Sequence, residues 1–505
     1  MNIRQAKNEI KHTVEAYLKK DEAGDYEIPE IRQRPVLLMG PPGIGKTQIM
    51  EQIARELGVG LVAYTITHHT RQSAVGLPFI REEEFAGKTY SVTEYTMSEI
   101  IASVYRRIRD SGQREGILFI DEINCVSETL APTMLQFLQC KTFGNQKIPE
   151  AVSYTPEGWV IVAAGNPPEY NKSVRDFDMV TLDRVRYMTV EADYRVWKEY
   201  ARAQHISGAI LSYLELRPGN FYRVEADVDG MQFVTARGWE DLSNLMAVYE
   251  KLGFLVDEQV IREYIHHADV AEDVAAYLDL YRKYQDDYGI PQILDGCVRP
   301  EIYARIYAAA FDERLSVVHL LLDGLAAFFG RAASERALTD AWYAFLKEYR
   351  SQVETAGDPA ECYRTLVAER EQEMLRQIAN DAYTREEAKR EKLLLEKLKA
   401  AQREVTKDSA QSCFEAAKVG FDRQREVLVQ TEEAAGAALE HAFDFMEQAF
   451  ENGEEMVVFV TELTITSESA RFLSEHTCER YLTYNKQLLI GTRRAELLSE
   501  LRRDN

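Results

Sequence analysis

Three short stretches of this sequence carry residues whose types and spacing suit phosphoryl chemistry. The first is GPPGIGKT, residues 40–47. Gly40, Gly43 and Gly45 let the backbone curl so that successive N–H groups converge on one anion, while Pro41, Pro42 and Ile44 complete the loop. A helix opening at Lys46 adds its positive dipole end. Lys46 then reaches the terminal phosphates of a nucleotide, the Thr47 hydroxyl is placed to ligate magnesium, and Gln48 follows on the same first turn. The second stretch is ILFIDEI, residues 117–123, in which an apolar run delivers Asp121 and Glu122 to the end of a strand. Adjacent carboxylates can simply cap the next helix. Burying them together is costly without a cation, however, and the phosphate loop supplies the reason for one. Asp121 is therefore read as the magnesium partner and Glu122 as the general base for an attacking water. The third is AAGNP, residues 163–167, where Asn166 follows another apolar run. Alone, Asn-Pro after a strand is a turn signal, so the reading of Asn166 as a water-positioning amide depends on the first two stretches.

Strands must bring these residues to one edge. Apolar runs at 36–40, 61–67, 116–121, 159–165 and 185–190 alternate with helical patterns, which is how an α/β fold with a five-stranded parallel sheet is written. Each run is rich enough in Val, Ile and Leu to predict cover on both faces. If the fourth strand lies between the first and third, Asn166 falls between Glu122 and the terminal phosphate. The expected organisation is an N-terminal helical segment at 1–30 and a nucleotide-binding domain at 31–190. A small helical lid follows at 191–250, in which Asp229-Gly230 signals a tight turn. A helical accessory domain at 251–360 and a helical, coiled-coil-like region at 361–505 complete the chain. Leu394, Leu398, Ala401 and Val405 form the seam of that last region, either a hairpin packed on its own chain or an oligomerising coil.

Composition narrows the partners. A formal net charge of −23 over 505 residues repels a polyanion, which argues against nucleic acid. No window approaches a bilayer span and the N-terminus lacks a signal-peptide core, so a cytoplasmic protein is expected. Six scattered cysteines, with no CxxC pair, suggest neither zinc nor a disulfide framework. The pairs His68-His69 and His266-His267 point their side chains in different directions and are read as structural. The tyrosines at 277, 281, 284 and 288 repeat at helical spacing and are read as packing, ahead of a docking stripe.

With those residues in place, the chain resembles AAA+ ATPases of the MoxR group. The likeness rests on GPPGIGKT, on FIDEIN at 119–124, on PEGWVIVAAGNP at 156–167, on LDRVR at 182–186 and on TARGWEDL at 235–242. The stretches 74–95 and 141–158 resemble the loop set into that family's second helix and the hairpin before its sensor strand. The resemblance implies a P-loop NTPase core that binds ATP with Mg2+. It also implies a homo-oligomeric, hexameric ring with nucleotide between neighbours, and chaperone-like action on a protein partner, such as one bearing a von Willebrand factor A domain. It further implies that Arg184, or Arg186 in its place, is the finger reaching a neighbour's site, and that Arg237 is a second sensor on the lid. Two other functions stay open: a nucleic-acid or restriction-type motor, and a scaffold that binds ATP to assemble but scarcely hydrolyses it. The absence of a guanine-reading NKxD pattern favours ATP.

Overall fold

The computed structural model describes residues 1–66, 76–143, 146–147, 158–170, 177–227, 230–353, 358–379, 382–405, 409–451 and 453–488. His68, His69, Asp229 and most of the stretch 144–157 lie outside these residues. The strands are β1 Val36–Met39, β2 Gly60–Thr65, β3 Pro78–Phe85, β4 Lys88–Tyr95, β5 Gly116–Asp121, β6 Thr142–Phe143, β7 Gln146–Lys147, β8 Trp159–Gly165, β9 Arg186–Thr189, β10 Arg223–Asp227 and β11 Gly230–Val234. Five of them form one sheet in the order β2-β5-β8-β1-β9, with every pairing parallel. The expected α/β class with a long helical C-terminal region is what the chain forms, and β8 lies between β1 and β5 as the reading of Asn166 required.

Cover on both faces holds for the inner strands only. All residues of β1 and β8 are buried, as are the first five of β5. At the sheet edges Ala63 and Thr65 of β2 and Tyr187 and Thr189 of β9 are exposed, which corrects the expectation that all five strands are fully covered. The exposed residues alternate along each edge strand, so one face of it is left partly to solvent. The helices Lys46–Leu57, Glu99–Ser111 and Ala131–Cys140 carry apolar stripes that meet the sheet. Ile100, Ile101 and Val104 pack with Leu118, Ile120 and Phe137 in one cluster with almost no exposure.

Contacts divide the chain into two compact units, Met1–Trp197 with Thr235–Gly238, and Lys198–Val234 with Trp239–Asn505. The N-terminal helix Ile3–Leu18 therefore belongs to the α/β unit, where Ala6, Ile10 and Val14 have no exposed surface. The first unit runs to Trp197 and also takes in Thr235–Gly238. The reason for the latter is local: the Arg237 amide donates to the Gly43 carbonyl at 3.1 Å.

In the second unit, β10 and β11 form the hairpin anticipated around Gly230. Two long helices, Phe311–Val353 and Ala410–Phe450, run through the rest. The first contains a window of mean hydropathy 1.4, long and apolar enough to cross a membrane, so the expectation that no window comes near one is amended. That window is 61% buried within the protein, which accounts for its apolarity by packing. Leu394, Leu398, Ala401 and Val405 are all buried in a cluster with Trp342, Phe345, Tyr349 and Tyr363. Their seam is closed by the chain's own helices, the first of the two alternatives. Tyr277, Tyr281 and Tyr288 are buried and hydrogen-bonded to Ser212, Asp323 and Glu313, as packing tyrosines require. His267 is buried beside Glu225 at 3.4 Å, and the His266 ring lies on Phe233.

Candidate nucleotide site

The phosphate loop joins the exit end of β1 to the helix Lys46–Leu57. Gly43 and Gly45 have φ of 72° and 92°, conformations that a side chain disfavours. Gly43 is also pressed from outside: a Cβ there would lie 3.0 Å from Thr235. The glycine thus serves both the curl of the loop and the seat of the segment that carries Arg237.

Lys46 is only 8% exposed. Its ammonium donates to Gly40 O at 2.7 Å, Pro41 O at 2.8 Å and the Asn166 side-chain oxygen at 2.8 Å. Burial pushes its pKa down to about 8; Asp121 and Glu122 oppose that shift, while Arg237 reinforces it. A buried cation held by neutral oxygens, with two carboxylates and a second cation acting on it, suits a site that receives a polyanion. A triphosphate favours the charged amine, so binding takes up a proton wherever Lys46 is neutral beforehand. The sign follows: affinity is flat below about pH 7.5 and weakens above about pH 8, by up to about tenfold per pH unit. Kd values for ATP measured between about pH 7.5 and 9.5 check this, and no weakening up to the top of that range would contradict it.

The Thr47 hydroxyl donates to Asp121 Oδ2 at 3.1 Å, which joins two oxygen ligands of the kind a hard cation takes. Asp121 ends β5 and accepts the Glu122 amide on its other oxygen at 2.9 Å. Glu122 has φ 57° and ψ 35°, a left-handed conformation that costs a residue with a side chain about 1–3 kcal/mol. Such strain concentrates where a side chain must be aimed, and here it turns the chain sharply into the short helix Ile123–Cys125. Cys125, one turn along, is an inert neighbour: burial pushes its thiol pKa up, and the charges of Glu122 and Asp121 push it further.

Lys46, Thr47, Asp121, Glu122 and Asn166 thus gather at one sheet edge, with Arg237 among the charges acting on Lys46. Arg184 and Arg186 do not join them. Arg186 pairs in register with Val36, the first residue of β1, while the loop follows Met39, the last. Three strand steps of about 3.3 Å separate those ends, so both arginines enter at the far end of the sheet by about 10 Å or more. Arg186 donates to Thr13 at 2.6 Å and pairs with Glu9, both on the N-terminal helix. Arg184 is exposed at the end of the short helix Met179–Leu182.

Sequence reasoning gave no role to Asn124. It is 3% exposed, and its amide donates to the Asn166 carbonyl at 2.8 Å. The sequence shows only a polar residue two positions past Glu122 in FIDEIN; its burial and its partner are set by tertiary contact.

The family profile described as AAA domain (dynein-related subfamily) matches residues 35–185. ATPase family gene 2 protein homolog B from Bos taurus is 35% identical over 94 residues, which are 18% of this chain and 10% of that protein. The matched span begins just before β1 and ends just before β9, so it takes in the phosphate loop, the acidic strand end and Asn166. The chain carries an AAA+ ATPase domain over residues 35–185, a family whose members bind ATP, typically with Mg2+.

Proposed function

We propose that the protein hydrolyses ATP as an oligomer of MoxR type and uses the turnover to rearrange a protein partner. The observation that carries this reading is the convergence of Lys46, Thr47, Asp121, Glu122 and Asn166 at one sheet edge. The loop amides and Lys46 hold the phosphates, and Thr47 with Asp121 holds magnesium, which supplies charge neutralisation. Glu122 takes the proton of the attacking water, and Asn166 positions that water from the next strand.

Support for an oligomer comes from where Arg184 lies. An arginine at the entry end of β9 is remote from its own loop, so its use in phosphoryl transfer requires a neighbouring subunit's site. Arg186 is half-buried against Glu9 and Thr13 whereas Arg184 is exposed, which makes Arg184 the better candidate finger. The net charge of −23 favours a protein over a nucleic acid as the partner that is moved.

The test is steady-state hydrolysis against protein concentration, with Arg184→Ala alongside. Specific activity is expected to rise with concentration as sites are completed by neighbours, and Arg184→Ala is expected to lower kcat on the order of a thousandfold while it still binds ATP. Mixing Arg184→Ala with Lys46→Ala should restore part of the turnover, because each supplies what the other lacks at a shared site. Specific activity independent of concentration, with a fully active Arg184→Ala, would contradict the oligomeric reading.

A further inference from the structure

Asn124 stands on the short helix that follows Glu122, and its side chain crosses from there to the loop that follows β8. The crossing is tight. A Cβ at Gly165 would lie 2.4 Å from the Asn124 side-chain oxygen, so only glycine leaves room for it. The amide nitrogen reaches the Asn166 carbonyl at 2.8 Å, while the amide oxygen is buried without a hydrogen-bond partner. An unpaired buried acceptor is a standing cost, one that an apolar residue of similar shape would remove. The Asn166 side chain, one residue from that glycine, in turn accepts from the Lys46 ammonium. A chain of contacts therefore runs from the turn of Glu122 through Asn124 and Asn166 to Lys46, in which Asn124 ties the turn after β5 to the loop after β8, beyond the last paired residues Ile120 and Ala163.

We propose that Asn124 is a positioning residue for hydrolysis, holding the Asn166 loop in register with the turn that aims Glu122. It touches neither phosphate nor water and acts through the placement of Asn166. The proposal rests on the ATPase reading above and deepens it. A base and a water-orienting amide on separate loops must keep their spacing, since a displacement of about 1 Å costs on the order of a hundredfold in rate. Binding depends instead on the loop amides and on Lys46, whose ammonium keeps the Gly40 and Pro41 carbonyls when Asn166 shifts. Its loss is thus a loss of kcat with affinity retained.

The experiment compares Asn124→Leu and Asn124→Ser in the full chain, with ATP affinity read from a fluorescent ATP analogue and kcat from phosphate release. Both variants are expected to bind within about threefold of the parent and to lose about tenfold or more in kcat. Asn124→Leu combined with Asn166→Ala is expected to be no slower than Asn166→Ala alone, because the two residues act in series. Losses that multiply in the double variant, or an unchanged kcat in both single variants, would overturn the proposal. A proportional weakening of affinity and kcat together would also overturn it, as that is what a merely structural residue gives. Failure of the parent reading looks different: there Glu122→Gln retains turnover, whereas failure of this one leaves Glu122→Gln inactive and Asn124→Leu active.

Discussion

Glu122→Gln is expected to bind ATP with its affinity kept within a few-fold and to hydrolyse it at least about a hundredfold more slowly. The substitution keeps the size and left-handed turn of residue 122 and removes only the basic oxygen. Because Lys46 is held by Gly40, Pro41 and Asn166 rather than by Glu122, the phosphate-binding elements stay as they are. One negative charge acting on Lys46 is lost, which lowers its pKa further. The measurement is single-turnover phosphate release beside equilibrium binding at about pH 7, below the value of about 8 that burial gives Lys46 in the parent. Full turnover in this variant would remove Glu122 from the chemistry.

The second large effect lies in the helical unit. Glu462 is 6% exposed on the helix Glu454–Ile465 and faces two cations, Lys198 at 2.7 Å and Arg202 in a closer contact. Lys198 also pairs with Glu215 at 2.6 Å, and Arg202 donates to Thr466 at 2.7 Å. Burial pulls the Lys198 pKa down, and Glu215 pulls it back up. Glu462→Gln removes the carboxylate that Arg202 and Lys198 share, while Lys198 keeps its pair with Glu215. Breaking a buried pair by removing one partner destabilises by about 3–5 kcal/mol, because a desolvated charge is stranded. Urea unfolding followed by helical circular dichroism should show the helical unit melting earlier by that amount. A change below about 1 kcal/mol would mean that water reaches the pair and screens it.

The sequence carried the α/β domain well, for physical reasons visible in particular residues. Buried parallel strands must be continuous apolar runs, so 116–121 and 159–165 coincide with β5 and β8. The phosphate loop was legible because few residues other than glycine accept the φ of positions 43 and 45. What escaped depends on tertiary contact. Nothing local reveals that Thr235–Gly238 closes on Gly43, that Glu122 adopts positive φ, or that Asn124 reaches the carbonyl of Asn166. The exposed sides of β2 and β9 were missed because edge position is set by strand order, which composition does not encode. The register between β9 and β1, which sends Arg184 away from its own loop, is likewise a property of pairing.

The Lys198–Glu462 contact joins residues 264 positions apart, and it has a consequence for how the protein is made. Synthesis from the N-terminus releases all five strands of the large sheet within the first 189 residues, so most of the α/β unit can assemble early. Lys198 and Arg202 emerge soon afterwards, but the anion they share does not exist until Glu462 has been added. In the interval Lys198 has Glu215 within reach but the shared anion is missing, and the apolar faces around the cations lack their final cover. The nascent helical half is thus committed to a long wait, during which chaperone protection of its open surface matters most.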